Sequence, residues 1–278
     1  MVVGVGGVET ELFGTQPLGP ILGPPFTREN DRAQLHPSSV RPRSVVEERR
    51  GHDGLAISYA GQPMNGTDQN GEAVRAVVFD FDGVLRHWDH GETLAIEDRF
   101  GLPRGSIHTY AFDAGLNQSV ITGQISDDEW RDTVANRLAQ HHGDDMRDAA
   151  LEWRARIGVL DPTMVELVRT IRSQLTVALL TNATSRLTSD LVRHGLVDDF
   201  DYIFNSSEIG LSKPDQPIFD FVATTLGLRY DEWLFIDDTE ENVVKASSLG
   251  IRSHLYSNQV ELESWLKSHS NLSLARRA

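Results

Sequence analysis

Residues 76–87 read AVVFDFDGVLRH, an apolar and β-branched run that leads into two acids, Asp80 and Asp82. Continuous apolar runs of this length are typical of a strand buried on both faces of a parallel sheet. A buried strand holds the side chains at its end in place, and misplacing a catalytic group by about 1 Å can lower a rate by on the order of 100-fold. The stretch therefore predicts a strand that presents two carboxylates rigidly at its carboxyl end.

Similar apolar runs recur at residues 175–182, 202–206, 233–238 and 251–256. Helical patterns lie between them, and a glycine stands near the end of each pattern, as is common where helices stop. Alternation of strands and helices indicates an α/β fold built on a doubly wound parallel sheet of the Rossmann-like kind.

The segment between the first two strands breaks this alternation. It contains helical patterns such as SDDEWRDTVANRLAQHH, in which Ser126 and Glu129 have the spacing of a capping box. The sequence predicts a helical cap at residues 88–161, inserted after the first strand of an α/β core that comprises residues 74–87 and 162–268.

The two ends of the chain carry no sustained periodicity. Residues 1–73 are rich in Gly, Pro, Ser and Arg, which predicts a disordered tail, and residues 269–278 are predicted to be a flexible C-terminus. The compact pattern begins shortly after Met64, so residues 1–63 are either a real extension or lie before the true start of translation. The first residues lack the basic and apolar regions of a signal peptide, and no stretch reaches the roughly 18 to 20 apolar residues of a membrane span. We expect a cytoplasmic protein.

The composition limits the possible partners. The chain has 278 residues and a net charge of −15, which argues against binding to nucleic acid or to an anionic membrane. It contains no cysteine, so disulfides, thiol catalysis and thiolate metal sites are excluded. Any metal must be bound by oxygen or imidazole. The length suits one catalytic domain with an insertion. For the oligomeric state, both a monomer and a homodimer remain open.

Polar residues follow several of the predicted strands: Asp80, Asp82, Thr181, Asn182, Lys213, Asp237 and Asp238. Ligands of open α/β sheets bind at the carboxyl ends of the strands, so these side chains are expected to converge. Clustered carboxylates suit Mg²⁺, and a lysine with a hydroxyl group adds binding to phosphate. One carboxylate can then attack phosphorus to form an acyl phosphate, while a second serves as general acid and base.

The motifs DFDGV, LLTN, SKPD and FIDDTEEN, in this order, resemble the four motifs of the haloacid dehalogenase superfamily of hydrolases. The resemblance covers about residues 74–268. It is closest to the phosphatase group that includes sugar-phosphate phosphatases and the N-terminal domain of soluble epoxide hydrolases. This implies a magnesium-dependent phosphatase that hydrolyses a small phosphorylated metabolite, such as a sugar phosphate, through an aspartyl-phosphate intermediate.

The resemblance also implies roles for single residues. Asp80 matches the nucleophile, which is also a magnesium ligand, and Asp82 matches the general acid/base, whose backbone carbonyl binds magnesium. Members that cleave carbon–halogen bonds lack an aspartate at the second position, so Asp82 argues for phosphoryl chemistry. The remaining matches are Thr181, the Asn182 backbone and Lys213 for phosphate binding, Asp238 for direct contact with magnesium, and Asp237 for support through water.

Asn242 is a departure from the pattern. It stands where relatives often carry aspartate, which implies a slightly weaker outer metal shell.

Other interpretations of these residues remain open. Asp80 can be a helix N-cap, Asp237 and Asp238 can be turn residues, and Lys213 can be a solvated loop cation. Residues of the cap that can contact substrate or serve only in packing are Phe112, Asn117, Gln118, Trp153, Arg154 and Arg156. His87 and His90 can belong to a second metal site, but no carboxylate spacing supports the pair, and they are interpreted as solvated or hinge histidines. Two further functions are a phosphomutase of the same superfamily and a non-catalytic regulatory or interaction module.

Overall fold

The computed structural model describes residues 73–274. Its strands are β1 (Ala76–Phe79), β2 (Arg86–His87), β3 (Val159–Leu160), β4 (Thr176–Thr181), β5 (Tyr202–Asn205), β6 (Trp233–Asp237) and β7 (Arg252–Leu255). Five of them form one sheet in the order β5-β4-β1-β6-β7, and every neighbouring pair is parallel. The predicted doubly wound parallel sheet is confirmed, with β1 at its centre.

The helices divide between the core and the insertion. Those of the insertion are α1 (His90–Phe100), α2 (Ser106–Ala111), α3 (Ala114–Ile121), α4 (Asp127–His142) and α5 (Met146–Arg154). Those of the core are α6 (Pro162–Arg172), α7 (Leu187–His194), α8 (Ser206–Ile209), α9 (Gln216–Leu226), α10 (Glu240–Ser248) and α11 (Gln259–His269).

The side chains of β1 alternate between two separate apolar layers. Val77 and Phe79 pack with residues of α6, α7 and α11 on one face, and Ala76 and Val78 pack with α9 and α10 on the other. All four are completely buried. Because both faces of the strand are covered, each position is apolar, which is why the run in the sequence is continuous rather than alternating.

The insertion has an apolar core of its own, built from residues of α1 to α5 and the turns between them. Trp130 and Trp153 pack edge to face inside it, with their ring centroids 5.3 Å apart. The capping box predicted at the start of α4 is present, because Ser126 accepts from the Glu129 amide and Glu129 accepts from the Ser126 amide. The inserted segment therefore packs as a unit around its own core.

The insertion joins the core through a two-stranded antiparallel ribbon, which we call the hinge ribbon. It consists of β2 and β3, with Arg86 opposite Leu160 and His87 opposite Val159. The chain leaves the core along β2 and returns along β3. The sequence did not predict this pairing, because strands of two residues are too short to show a period.

The last described residues extend the packed region. Leu272 is buried in the core, and the Ser273 amide donates to Gln174 Oε1 at 2.8 Å. The packed part therefore continues beyond residue 268, where the sequence placed the end of the core. The sequence predicts a disordered tail at residues 1–73. Residues 1–72 of it, which include Met64, lie outside the described residues, and so do residues 275–278.

None of the helices within residues 73–274 combines the length and the apolar character that crossing a membrane requires.

Candidate active site

Three carboxylates meet at the carboxyl ends of β1 and β6. Asp80 follows β1, Asp237 is the last residue of β6, and Asp238 comes next. One carboxylate oxygen from each lies within 4.8 Å of the others. The two strands are neighbours in the sheet and end at the same edge, so the chain brings these acids together although more than 150 positions separate them in sequence.

Lys213 reaches into this cluster from the loop before α9. Its Nζ lies 2.9 Å from Asp80 Oδ1 and 2.6 Å from Asp237 Oδ2, and it donates to the Leu180 carbonyl at 3.0 Å. The side chain is fully buried. Burial alone would lower the pKa of Lys213, but Asp80 and Asp237 outweigh it and raise that pKa. Lys213 is therefore a buried, paired cation and not a solvated loop residue.

The acids carry an excess of negative charge that one lysine does not remove. Burial raises the pKa of Asp80 to about 7 against the opposing effect of Lys213, and Asp237 adds to the increase. Partial desolvation of the Asp238 carboxylate and the charge of Asp237 also raise the pKa of Asp238. Carboxylates in this situation are stabilised in their ionised form by a further cation. The cluster suits a divalent metal ion on these grounds.

Asn182 fixes the loop that carries Lys213. Its Nδ2 donates to the Lys213 carbonyl and its Oδ1 accepts from the Lys213 amide, both at 2.8 Å. Asn182 directly follows Thr181, the buried last residue of β4. The sequence singled out the Asn182 backbone, and this use of its side chain was missed because the partner lies 31 positions further along.

Asp237 and Asp238 differ in how they are used. The carboxylate of Asp237 is completely buried and accepts from Lys213, from Asn242 Nδ2 at 3.1 and 3.0 Å, and from the Thr239 amide at 2.8 Å. Asp238 is exposed. Asn242 thus provides a donor that orients Asp237, which an aspartate at this position does not offer when ionised.

The side chain of Asp82 does not join the cluster. Its carboxylate accepts from Arg86 Nε at 2.6 Å, from Arg86 Nη2 at 2.9 Å and from Trp88 Nε1 at 2.8 Å. Sequence reasoning missed both donors, although they stand in RHW (86–88), one residue after the end of the first motif. The Asp82 carboxylate therefore points toward the hinge ribbon, where Arg86 and Trp88 hold it.

One of the cap candidates contacts the loop of Lys213. Gln118 Nε2, on α3, donates to Ser212 Oγ at 3.2 Å. Four of the others make contacts within the cap or lie exposed: Phe112 is half exposed, Trp153 packs on Trp130, Arg154 pairs with Asp128 and Asp132, and Arg156 pairs with Glu92. Asn117, on α3, is partly buried. Both His87 and His90 are exposed at the start of the cap.

Residues 74–250 match a family model described as haloacid dehalogenase-like hydrolase, and the match spans more than half of the chain. The chain belongs to the haloacid dehalogenase-like hydrolase family. The resemblance found in the four motifs is thereby confirmed, and the carboxylate cluster belongs to an enzyme of a hydrolase family.

Two curated relatives lie in the group that the sequence indicated. The D-ribitol-5-phosphate phosphatase of Bacteroides thetaiotaomicron is 24% identical over 188 residues, which cover 65% of this chain and 90% of that protein. Bifunctional epoxide hydrolase 2 of Sus scrofa is 25% identical over 210 residues, which cover 66% of this chain and 36% of that protein. The chain spans about a third of the length of several curated relatives that it matches.

A solved structure shares the fold. The crystal structure of a haloacid dehalogenase family enzyme from Bacteroides thetaiotaomicron, in complex with magnesium and inorganic phosphate, superposes with a TM-score of 0.56 at 23% identity. The alignment covers 68% of this chain and 99% of that one. The predicted fold class is confirmed by this likeness.

Proposed function

We propose that this protein is a magnesium-dependent phosphatase that hydrolyses a small phosphorylated metabolite through an aspartyl phosphate on Asp80. The observation that carries the proposal is the buried arrangement of Asp80, Asp237 and Lys213 beside the exposed Asp238. The D-ribitol-5-phosphate phosphatase among the relatives and the magnesium and phosphate in the related crystal structure support the same reaction.

The residues of the site fit a magnesium ion. Mg²⁺ prefers carboxylate and carbonyl oxygens, and the carboxylates of Asp80 and Asp238 with the backbone carbonyl of Asp82 would hold it. Gly83 preserves the space beside this set, because a Cβ there would lie 1.9 Å from Asp238 Oδ2. When bound, magnesium supplies positive charge that offsets the negative charge of the carboxylates and of the substrate phosphate.

Each residue of the site has a separate role in the proposed reaction. Asp80 attacks phosphorus as a carboxylate, and the bond from phosphorus to the leaving oxygen breaks. Asp82 gives its proton to that oxygen, and the resulting carboxylate takes a proton from the water that hydrolyses the aspartyl phosphate. Lys213, the Thr181 hydroxyl and the backbone amide of Asn182 bind the phosphate oxygens. Hydrolysis restores Asp80 for the next cycle.

The cap is proposed to control access to this site. Substrate enters when the cap moves away, and its return excludes bulk water from the reacting groups. The contact between Gln118 and Ser212 places a cap side chain one residue from Lys213. Cap residues in this region are the candidates for recognition of the organic part of the substrate.

The proposal is tested by measuring phosphate release from sugar phosphates, phosphoglycolate, nucleotides and p-nitrophenyl phosphate. We expect release with Mg²⁺, a fall to background with EDTA, and recovery when Mg²⁺ is restored. Release that is insensitive to EDTA would contradict the metal dependence. Formation of an isomerised sugar phosphate would instead identify a phosphomutase. No release, together with no rise in melting temperature on addition of Mg²⁺, would identify a non-catalytic module.

Replacing Gly83 with alanine is expected to weaken Mg²⁺ binding by about 10- to 100-fold, the usual range for groups that orient metal ligands. The added Cβ collides with the Asp238 carboxylate and displaces it. Gly83 also has φ of +85°, which strains any other residue. Calorimetric titration with Mg²⁺ measures the effect.

Gly227→Ala is the matched control for strain. Gly227 has φ of +64°, and a Cβ added there would meet no atom within 4 Å, so the substitution adds strain without a collision. Equal losses of Mg²⁺ affinity in the two variants would show that the contact with Asp238 is not the cause.

A further inference from the structure

The segment that follows β4 carries two of the proposed phosphate-binding groups. Thr181 ends the strand, and residues 182–184 form a loop without regular secondary structure before α7. Both Thr181 and Ala183 are buried. Buried backbone amides and carbonyls need hydrogen-bond partners, and this loop has no strand or helix of its own to supply them. The partners therefore come from other parts of the core.

Ser206 supplies two of these partners with one hydroxyl group. It is the first residue of α8, directly after β5, and it is completely buried. Its Oγ accepts from the Ala183 amide at 3.0 Å and donates to the Ala183 carbonyl at 3.3 Å. The amide and the carbonyl of one residue belong to consecutive planar peptide groups. A single side chain therefore fixes both of the peptide planes that meet at Ala183.

Asn205 binds the next residue of the same loop. It is the last residue of β5, is buried, and stands opposite Thr181 in the pairing of β4 with β5. Its Nδ2 donates to the Thr184 carbonyl at 3.1 Å, while its Oδ1 accepts from the Ser207 amide at 3.2 Å. The loop is thus bonded at two consecutive residues to the end of the neighbouring strand.

The residue before Ala183 is fixed from a different direction. The Asn182 side chain makes two bonds with the Lys213 backbone, so the loop is held by the residues after β5 and by the loop of Lys213. By contrast, the Thr181 hydroxyl has no hydrogen-bond partner among residues 73–274. The backbone of the loop is held in place, and a donor at its start remains available to a ligand.

Bonds of this kind can serve only to satisfy a buried loop. The distance along the chain goes further, because the proposed phosphate donors belong to Thr181 and Asn182, within two residues of Ala183. A donor binds an anion best when it already points at the anion, since no reorganisation is then needed on binding. Rotation of the peptide groups at Ala183 would turn the Asn182 backbone away from such a direction.

From these contacts we infer that Ser206 is a positioning residue of the phosphate-binding loop. Its hydroxyl fixes the backbone of Ala183, and this directs the Asn182 amide and the Thr181 hydroxyl toward the phosphate. Ser206 is completely buried, so it acts through the loop and does not touch the substrate. The identity of the ligand as phosphate rests on the proposed phosphatase function.

Calorimetric titration of the whole protein tests the inference with two ligands. Ser206→Ala removes both bonds to Ala183, and the affinity for inorganic phosphate at saturating Mg²⁺ is expected to fall by about 10-fold, the value of one hydrogen bond to a charged group. The affinity for Mg²⁺ alone should stay within about twofold of wild type, because the proposed ligands Asp80 and Asp238 follow β1 and β6. A purely structural loss would not distinguish the two ligands.

Two further variants complete the series. Ser206→Cys keeps a side chain of similar size whose thiol is a weaker donor and acceptor, so its phosphate affinity should lie between those of wild type and Ser206→Ala. It also covers the case in which alanine prevents folding. Ser270→Ala is the matched control, because Ser270 Oγ accepts from the Leu272 amide at 3.4 Å and donates to the Leu266 carbonyl at 2.6 Å. Its phosphate affinity should equal that of wild type. Unchanged phosphate affinity in both Ser206 variants, or equal losses for phosphate and Mg²⁺, would overturn the inference.

A second measurement needs no ligand. Hydrogen exchange of the amides at residues 182–184 is expected to accelerate by about 10-fold or more in Ser206→Ala but not in Ser270→Ala, because only the first variant frees the loop. Wild-type exchange rates in Ser206→Ala would overturn the inference. A wild-type protein that neither binds nor releases phosphate overturns the proposed function, and hydrogen exchange then still decides whether Ser206 positions the loop.

Discussion

Substitution of Asp80 by asparagine is expected to lower phosphate release by on the order of 10⁴-fold or more, because an amide does not form the covalent intermediate. The two side chains have nearly the same shape, and Lys213 keeps its pair with Asp237. The free energy of unfolding is therefore expected to change by no more than about 1 kcal/mol. Stopped phosphate-release assays and urea denaturation measure the two quantities.

Asp231→Asn controls for loss of an aspartate elsewhere. Asp231 lies on the surface and pairs with Arg229, and its replacement should leave phosphate release unchanged. If Asp80→Asn retains more than a small percentage of the activity in a preparation free of contaminating phosphatase, the covalent mechanism is wrong.

Substitution of Lys213 by methionine is expected to remove activity and to destabilise the protein by about 3 to 5 kcal/mol, the usual cost of leaving a buried charge without its partner. Two carboxylates, those of Asp80 and Asp237, lose the same cation. Methionine keeps the apolar length of the side chain, so the loss reports charge rather than packing. Urea denaturation without added metal measures the free energy of unfolding.

A double variant tests this explanation. Adding Asp80→Asn to Lys213→Met removes one of the two unpaired charges and should recover part of the lost stability. Lys267→Met is the control, because Lys267 is partly exposed and its pair with Glu263, at 3.7 Å, contributes at most about 1 kcal/mol. A loss in Lys213→Met as small as in the control would mean that the buried pair does not stabilise the fold.

The core of the fold could be predicted because its evidence is local. β1 is buried on both faces, so its apolar run is unbroken, and Asp80 follows it directly. The convergence of Asp237 with Asp80 then follows from the geometry of parallel sheets, whose strands end at the same edge. Capping at Ser126 is local for the same reason, since both partners lie within one helical turn.

The rest of the site depends on contacts between distant positions. Arg86 and Asp190 are 104 positions apart, and nothing near Arg86 in the sequence indicates that its side chain is buried. The direction of the Asp82 carboxylate depends on that contact. The sequence therefore predicted an acid at the end of β1 but not the direction in which its carboxylate points. The fully buried state of Lys213 was equally hidden, because a lysine before a proline is usually exposed.

The hinge ribbon has a consequence for how such enzymes diversify. Paired residues in an antiparallel ribbon have Cα atoms about 4.5 to 5.5 Å apart, so the inserted segment begins and ends almost at one point. Domains whose termini lie close together can be inserted or exchanged with little disturbance of the host. Evolution can therefore replace this cap by another as long as β2 and β3 remain. The same set of reacting groups in the core can in this way act on new substrates.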